Sequence, residues 1–514
     1  MKIKYIIPAV FALAIGVGSC DKDFVEINTN PIEATTLDPM YQLAQAEYAS
    51  AVSDYHYQGA IVQQIITPYG GVLEGGNRNT YIDANASSLF TDFYTGPVKN
   101  LIDVTEKLKD NPDRINLYSM ARIWKAYCFQ RLVDTYGDVP YTEAGKAFIA
   151  STFLPVYDDQ KAIYDAIIKE YTEATDALTA GKDAVPGDIF YKGDIAKWKK
   201  LGNSLLLRAG MRYTKYSSAT AATIVAKATD PARGGVFTAN SDNVSLQYTS
   251  AFTYGTGSML NGGERHNYYV GAPFVDFLKA TNDPRAAYMI CKYPTPANAL
   301  ATAGTPNTNL ADQQGMPYGY DETTLASAPG FPGKIGAAYA YTQFNRATVG
   351  AVEGKAYLIT YSQTLLLLAE ARERGYISTS TVKDYYEAGI KAHMTQQSYI
   401  TISAAAQDAY LAGTEVAFDA ARALEQINEQ YWVSSFMIWG EAWCNFRRSG
   451  YPQLNAINYP GEDPSVDQDN AGGFIHRLSY PNREKSVNPA GVGDAITRLG
   501  GSDKLGLRVF WDKI

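Results

Sequence analysis

A helical spacing of apolar residues is the feature that most restricts what this chain can fold into. Between positions 120 and 133, apolar side chains recur every three or four residues; the set is Met120, Ile123, Trp124, Tyr127, Cys128 and Leu132. Such spacing lines one face of an α-helix, and Gly137 supplies a stop just beyond it. Residues 158–180 and 194–213 repeat the design. We therefore predict a mainly α fold.

Further helical patterns extend this prediction over most of the chain. They cover residues 41–67, 90–109, 361–375, 382–397, 418–439 and 442–450. Paired helices of this length are typical of tetratricopeptide-like hairpins, although no strict repeat period is present. Four consecutive leucines at 365–368 indicate a helix that is buried on all sides.

Two stretches interrupt the helices with long irregular loops. The first is a Gly-, Asn- and Tyr-rich loop at 69–81, and the second is an insert at about 236–345 with one short helix at 273–281. Loops this long inside a compact protein are usually functional. We therefore expect the insert to lie on the ligand side, and the tail from Tyr451 to be irregular as well.

The N-terminus has the pattern of an export signal. Lys2 and Lys4 form a basic start, and residues 6–17 are an apolar run that is too short to span a bilayer as a permanent helix. Small residues then lead directly into Cys20, in the order VGSC. This order resembles the lipobox of a bacterial lipoprotein, which predicts cleavage before Cys20 and lipid on it. A plain secretory signal is the alternative.

This signal fixes the predicted domain organisation. Residues 1–19 are the predicted signal peptide, 20–40 a lipidated tether, and 41–514 a single helical domain. Two or more acyl chains hold a protein stably on a membrane, so no transmembrane helix is needed. We expect a globular body that is tethered to a membrane surface by lipid at its first residue.

Charge and cysteine content exclude several classes of function. The formal net charge of −8 becomes −10 when Lys2 and Lys4 leave with the signal. This acidity argues against nucleic acid as a partner. The three cysteines beyond Cys20 have wide spacing, which predicts buried thiols and at most one bridge rather than a disulfide framework.

The sequence lacks the usual patterns of catalysis. Its four histidines are not spaced as metal-ligand pairs, and no nucleophile elbow, phosphate loop or dinucleotide fingerprint is present. We therefore predict a binding protein and no enzyme. Abundant Asp and Glu leave a surface glycoside hydrolase open as an alternative.

No cofactor is expected. An oxygen-rich loop that contains Asp463, Asp467, Asp469 and Asn470 could hold calcium. It lacks the glutamate that an EF-hand loop requires, so we favour an acidic turn and keep calcium as the weaker alternative.

Six stretches in a fixed order carry a family resemblance. They are YGDVPYTE at 136–143, NDPR at 282–285, LLLLAEA at 365–371, YEAGI at 386–390, EAWCNFRRSGYP at 441–452 and RLSYP at 477–481. Together with the lipobox they resemble the SusD/RagB family of nutrient-binding outer-membrane lipoproteins, nearest to its SusD-like subgroup. The likeness runs nearly from end to end.

The resemblance implies both a fold and a role. The implied fold is SusD-like, with tetratricopeptide-like hairpins and loop insertions. The implied role is that of a lid on a SusC-like, TonB-dependent barrel in a Bacteroidetes-type outer membrane, where the protein captures an oligosaccharide or a peptide and passes it on unchanged. The arginines of the FRRSGYP motif, Arg447 and Arg448, are interpreted as structural, bridging helices through bidentate bonds to carboxylates.

Composition suggests which residues contact the ligand. A sugar needs an aromatic plane for its apolar face and polar side chains for its hydroxyls. Tyrosine supplies the plane, and the chain has 39 of them. The two irregular stretches offer this mixture through Tyr69, Asn77, Arg78, Tyr81, Tyr254, Asn261, Arg265, Tyr268, Tyr269, Tyr318 and Tyr320. Ordinary packing is the alternative for each tyrosine, and a helical scaffold that binds only protein remains the third functional class.

Overall fold

The computed structural model describes residues 37–51, 56–468 and 472–514. Helices dominate these residues and strands are few and short, which confirms the prediction of a mainly α fold with irregular insertions. The predicted signal peptide, Cys20, most of the tether, Asp469 and Asn470 lie outside the described residues. Their roles stay predictions.

The helices before residue 290 are α1 Pro39–Ser50, α2 His56–Ile61, α3 Glu74–Arg78, α4 Asp83–Phe93, α5 Lys99–Leu108, α6 Ile115–Tyr136, α7 Ala147–Ala150, α8 Gln160–Ala177, α9 Ile195–Arg212, α10 Ser218–Ala228, α11 Gly255–Asn261, α12 Ala272–Ala280 and α13 Ala286–Met289. A π-helical segment, Tyr94–Val98, joins α4 to α5. The helices of the C-terminal half are α14 Tyr361–Glu373, α15 Val382–Met394, α16 Ala404–Leu411, α17 Ala423–Ser434, α18 Trp439–Ser449, α19 Asn482–Val487 and α20 Pro489–Arg498.

The strands form two-residue to five-residue antiparallel ribbons. They are β1 Ile65–Ile66, β2 Val244–Gln247, β3 Tyr269–Val270, β4 Ile290–Cys291, β5 Lys334–Ile335, β6 Ala338–Tyr339, β7 Gln343–Phe344 and β8 Lys355–Ile359. The pairs are β1 with β3, β2 with β8, β4 with β7, and β5 with β6. Most of these strands lie in the predicted insert, which combines short ribbons and turns with the three short helices α11, α12 and α13. The prediction of a single short helix there is therefore wrong, because α11 and α13 are only seven and four residues long and show little apolar periodicity.

Successive helices pack in pairs around one large core. The apolar stripe predicted on α6 is fully buried, α6 packs on α8, α8 on α9, and α9 on α10. Asp159 and Asp194 cap the starts of α8 and α9 by accepting backbone N–H groups. Gly202 lets α9 approach α8 closely, because a Cβ there would lie 1.9 Å from Oγ1 of Thr175.

Helix α14 is largely buried in the C-terminal half. Residues 365–368 are all buried, which confirms the prediction from the four leucines. α14 packs against α15 and α17, and Thr360 begins it with a capping box to Gln363. On this helix, Glu370 is also buried, and it is bound by the family motif of α18.

The two motif arginines have different partners. Arg448 donates to Oε1 and Oε2 of Glu370, each at 2.6 Å, so the predicted bidentate bridge between helices is confirmed for this residue. For Arg447 the prediction is wrong. Its guanidinium lies over the ring of Trp443 at 3.6 Å and donates to the backbone carbonyls of His476 and Asp134.

Three boundary predictions are wrong for local reasons. The predicted helix 41–67 does not run through: α2 ends at Ile61, and Gln63 takes a positive φ of 58° that turns the chain into β1. The loop at 69–81 contains the short helix α3. The tail after Tyr451 contains α19 and α20, and the Asn488 side chain caps the start of α20.

Two further features concern the membrane and the cysteines. In the part of the chain that the structure describes, no helix combines the length and the apolar character needed to cross a bilayer. Cys128, Cys291 and Cys444 are buried and free, as the sequence predicts.

Candidate functional site

A two-residue ribbon brings the two predicted ligand stretches together. In the β1–β3 pair, Ile65 faces Val270 and Ile66 faces Tyr269. The Tyr318 hydroxyl donates to the Ile65 carbonyl at 2.8 Å. The backbone here is so close that a Cβ on Gly271 would lie 2.4 Å from the Gln63 carbonyl oxygen. The loop at 69–81 and the insert therefore lie side by side, although about 200 residues separate them.

Beneath this junction lies a satellite core, which we call the tyrosine cluster. Its buried members are Ile66, Tyr269, Met316, Leu325, Ala328, Tyr339 and Tyr341, and its partly buried members are Tyr69, Tyr318, Tyr320 and Phe331. The Tyr269 hydroxyl donates to the His266 carbonyl at 2.5 Å and accepts the Tyr339 N–H at 2.8 Å. Tyr269 is thus fully buried, and in this structure it supports the loops from below.

An open groove of about 580 Å³ adjoins the tyrosine cluster. Its described lining residues are Thr67, Tyr69, Gly70, Gly71, Val72, Glu264, His266, Asn267, Tyr268 and Ala337. One wall comes from the loop at 69–81 and the other from the insert. A groove of this size, with aromatic and polar walls, is suited to a small polar ligand.

The two groove tyrosines present flat faces with neutral hydroxyls. Burial raises the pKa of Tyr69, and the neighbouring Tyr339 hydroxyl raises it further. Burial, followed by the charge of Glu264, raises the pKa of Tyr268. Both phenols therefore keep their protons at neutral pH, and each can donate and accept one hydrogen bond. The Tyr69 ring packs on Tyr339 with centroids 6.2 Å apart, which holds its orientation.

Polar groups of the groove are arranged on one wall. The Asn267 side-chain amide donates to Glu264, which orients both. His266 has a buried Nδ1 atom with no hydrogen-bond partner among the described residues. A buried polar atom without a partner costs about 1–3 kcal/mol, so a ligand or a water that reached it would gain stability.

Arg78 fixes the loop from behind the groove. It donates to Glu74 at 2.9 Å and to the Pro68 carbonyl at 3.0 Å, and it lies over the Tyr459 ring at 5.1 Å. Asn77 is buried and donates to the Thr67 carbonyl at 2.8 Å. Both side chains hold the loop in its conformation, and a direct ligand contact for either stays a prediction.

Asn261 and Arg265 likewise donate their side-chain hydrogen bonds to backbone carbonyls. Asn261 donates to the carbonyls of Gly257 and Gly350 at 2.9 and 2.8 Å. Arg265 donates to the carbonyls of Asn261 and Ala297 at 2.9 and 2.8 Å. Tyr318 and Tyr320, in contrast, are partly buried at the edge of the tyrosine cluster, near the groove.

Two predicted ligand residues lie away from the groove. Tyr81 donates its hydroxyl to Asp83 at 2.6 Å and lies beside Asn482 of α19. Tyr254 is buried and stacks on Tyr248 with centroids 5.3 Å apart, next to β2 and β8. The structure therefore gathers Tyr69 and Tyr268 at the groove but not these two.

Sequence reasoning missed His266, Asn267 and Glu264 as lining residues. Their positions in the sequence could have indicated them, because His266 and Asn267 lie between the predicted residues Arg265 and Tyr268, and Glu264 directly precedes Arg265. Tyr339 was missed as the support of Tyr69, and only the three-dimensional pairing shows it. Among the described residues no cluster of three or more His, Cys, Asp or Glu could hold a metal, and the calcium alternative at 463–470 falls partly outside them.

Comparison with known families decides the relationship. A family model, SusD-like, described as starch-binding associating with outer membrane, matches residues 25–481. The chain belongs to the SusD-like family. This agrees with the resemblance carried by the six sequence stretches. No curated protein matches the chain.

Solved structures share the SusD-like fold over nearly the whole chain. A chitin-binding protein is 28% identical, with 93% of this chain and 100% of that chain covered and a TM-score of 0.76. A Bacteroidetes SusD-like protein, AC2a, is 24% identical at the same coverage, with a TM-score of 0.79. A chitin-binding SusD homolog from Flavobacterium johnsoniae is 22% identical, covers 92% of this chain and 97% of its own, and has a TM-score of 0.73.

Proposed function

We propose that this SusD-like protein binds an oligosaccharide in the open groove and releases it unchanged. The observation that carries this proposal is the pairing of Tyr69 and Tyr268 on the walls of one accessible groove. Family membership supports it, since the family model is described as starch-binding. The chitin-binding relative makes chito-oligosaccharides the first class to test and malto-oligosaccharides the second.

The chemistry of the groove suits a sugar. Aromatic rings cover the apolar face of a pyranose, and the Asn267 and Glu264 side chains can satisfy hydroxyl groups. Only one groove residue, Glu264, carries a carboxylate among the described lining. Glycoside hydrolysis normally requires two, so the groove favours binding over catalysis.

The cellular setting forms part of the same proposal. The protein is anchored to the outer membrane by lipid on Cys20, faces the cell exterior, and acts as the lid of a SusC-like, TonB-dependent barrel. The lipobox pattern and the family description of outer-membrane association support this setting. Replacing Cys20 with alanine should release the protein from membranes, which cell fractionation would measure.

Calorimetry on the mature chain with Cys20→Ala tests the groove directly. Tyr69→Ala and Tyr268→Ala should each weaken oligosaccharide affinity about tenfold, equivalent to about 1.4 kcal/mol. Tyr41→Ala is the matched control, because Tyr41 is an exposed tyrosine on α1 and should leave affinity unchanged.

Three outcomes would reject the proposal. Equal affinity in all three variants would remove the groove as the binding site. Release of new reducing ends from the oligosaccharide by the purified protein would show a hydrolase instead. A chain that binds neither oligosaccharide class but co-purifies with its barrel would point to a peptide ligand or a purely structural scaffold.

A further inference from the structure

A second groove is lined by the last residues of the sequence, and we call it the C-terminal groove. Its volume is about 770 Å³, which is within the range of small-ligand sites. Lys215 and Tyr216 line it just after α9, and Arg498 and Leu499 line it at the end of α20. The final stretch, 507–514, supplies most of the other lining residues. Segments from the middle and the end of the chain therefore border one space.

The final stretch is fixed to the helical body. The Trp511 indole N–H donates to Oδ1 of Asp134 on α6 at 2.9 Å. The Phe510 N–H donates to Oε1 of Gln160 on α8 at 2.8 Å. Trp511 is also fully buried, so the backbone that lines the groove is anchored on both sides of residue 510. The C-terminal groove is therefore part of the folded body.

An aromatic cluster borders the C-terminal groove. The Phe510 ring contacts the rings of Tyr164, Tyr213 and Tyr216, with centroids 5.0–5.5 Å apart. Tyr216 is 44% exposed, so its ring is held by its neighbours and is still reachable from solvent. An exposed aromatic plane of this kind can cover the apolar face of a sugar ring.

Two arginines of the C-terminal groove have carboxylate partners. Arg498 forms an ion pair with Asp138, and Arg508 forms one with Asp512 at 2.6 Å. Asp512 is fully buried and also contacts the His476 ring at 2.5 Å, so this carboxylate faces inward. The single carboxylate side chain among the described lining residues is therefore already paired.

Two lysines of the C-terminal groove lack such partners. The side chains of Lys215 and Lys513 form neither a hydrogen bond nor an ion pair with any residue that the structure describes. Lys513 places its Nζ atom 5.9 Å from the centre of the Tyr216 ring. A ligand that packs on Tyr216 therefore comes close to this charge, and an anionic group on the ligand would be attracted to it.

The surroundings of Lys215 are positively charged. Burial lowers the pKa of Lys215, and the charges of Arg448, Arg508 and Arg374 lower it further, against the opposing charge of Asp512. An anion bound beside Lys215 would compensate this positive charge and stabilise the ammonium form. The groove therefore lacks an anion that a ligand can supply.

The two grooves differ in charge. The described lining of the open groove includes Glu264 and neither lysine nor arginine. The C-terminal groove has the two lysines without carboxylate partners. Because like charges repel and opposite charges attract, an acidic ligand is disfavoured in the open groove and favoured in the C-terminal groove. The two grooves therefore suit different ligands.

The charge of the whole chain limits the length of an acidic ligand. The formal net charge is −8, which repels a long polyanion. The two lysines can pair with one or two anionic groups, and the aromatic plane needs an apolar ring face. A short saccharide with one or two carboxylates has the matching charge and shape.

We propose that the C-terminal groove is a second ligand site, which binds a short acidic saccharide. The sugar ring packs on Tyr216, and its carboxylates pair with Lys215 and Lys513. This site is separate from the open groove, and the inference does not depend on the function proposed for that groove.

Calorimetry on the mature chain with Cys20→Ala tests the site with digalacturonate, which carries two carboxylates. Its dimethyl ester is the matched control, because it keeps both sugar rings and removes both charges. The ester should bind about tenfold more weakly than the acid, or less tightly still. Affinity for the acid should also fall as the salt concentration rises, because salt screens exposed charges.

Variants that remove one charge identify the residues. Lys215→Met and Lys513→Met should each weaken digalacturonate binding about fivefold or more, whereas Lys513→Arg, which keeps the charge, should stay within about twofold of the parent. Lys227→Met is the matched control and should bind as the parent does. Lys227 is an exposed lysine on α10 that has no ion pair with a described residue and does not line the groove.

Several results would overturn the proposal. Equal affinity for the acid and its ester, unchanged affinity in both lysine variants, or no binding of the acid would remove the site. Equal displacement of the acid by sodium sulfate would show a site for small anions only. Loss of acid binding in Tyr69→Ala, in place of the lysine variants, would assign the acid to the open groove.

Neutral oligosaccharides separate this inference from the proposed function. Their affinity for Lys215→Met and Lys513→Met should stay within about twofold of the parent, because neither lysine lines the open groove. If the parent binds no neutral oligosaccharide, the function proposed for the open groove fails, and the result at the C-terminal groove still stands.

Discussion

The buried pair of Arg448 and Glu370 allows a quantitative prediction. Burial alone would raise the pKa of Glu370, but Arg448 and Arg374 outweigh it and lower the pKa from 4.5 to about 2. This shift corresponds to about 3 kcal/mol of native stability at neutral pH. Removing one partner of a buried pair costs about 3–5 kcal/mol, because the other charge stays buried without compensation. We therefore expect Arg448→Ala to lower the free energy of unfolding by about 3–5 kcal/mol.

Urea denaturation at pH 7, followed by circular dichroism, measures this loss. Arg374→Ala is the matched control: Arg374 binds the same carboxylate at 2.8 Å, but its side chain is partly exposed, so its removal should cost about 1 kcal/mol or less. The folded-state pKa of Glu370 is lowered, so the contribution of the pair is full above about pH 4.5 and is lost as pH falls towards 2. Equal losses for Arg448→Ala and Arg374→Ala would refute the argument that burial sets the magnitude.

Three other outcomes follow from the core. Glu441 is buried, yet Arg208, Arg212 and Arg131 lower its pKa to about 2. The melting temperature should therefore fall as pH drops from about 4.5 towards 2, and a melting temperature that does not change with pH would contradict this. Gly202→Ala should destabilise the protein by about 1–3 kcal/mol in urea through overpacking against Thr175, whereas Gly493→Ala, with open space around it, should not. In the Cys20→Ala chain the remaining thiols are buried, and burial raises the pKa of Cys128. A thiol reagent should therefore react only after unfolding, and rapid labelling of the native protein would contradict the burial of these thiols.

The sequence was most informative where the apolar period was long and uninterrupted. The stripe on α6 and the four leucines of α14 could be assigned because helical spacing and burial coincide there. The break between α2 and β1 could not, because it depends on a single positive φ at Gln63 and on pairing with a strand about 200 residues away. Helices α19 and α20 were missed because they are short and lie in a segment rich in Gly, Asn and Pro.

The candidate site was only partly predictable for a related reason. Both stretches that composition singled out contribute residues to the groove, but composition could not distinguish a tyrosine that faces the groove from one that is packed beneath it. Tyr268 and Tyr269 are adjacent in sequence, and only Tyr268 lines the groove, since successive residues in extended backbone point to opposite sides. Partners such as Tyr339 for Tyr69 arise from tertiary contact, which no local pattern encodes.

The β1–β3 ribbon has a consequence for how recognition can change. Two chain segments far apart in sequence meet in this ribbon, and the tyrosine cluster beneath it holds both groove walls from the side opposite their loop tips. Substitutions at the loop tips can therefore alter which sugar is accepted without disturbing the helices. A single cleavage within the insert should also leave both walls attached, so a nicked protein would still hold its ligand.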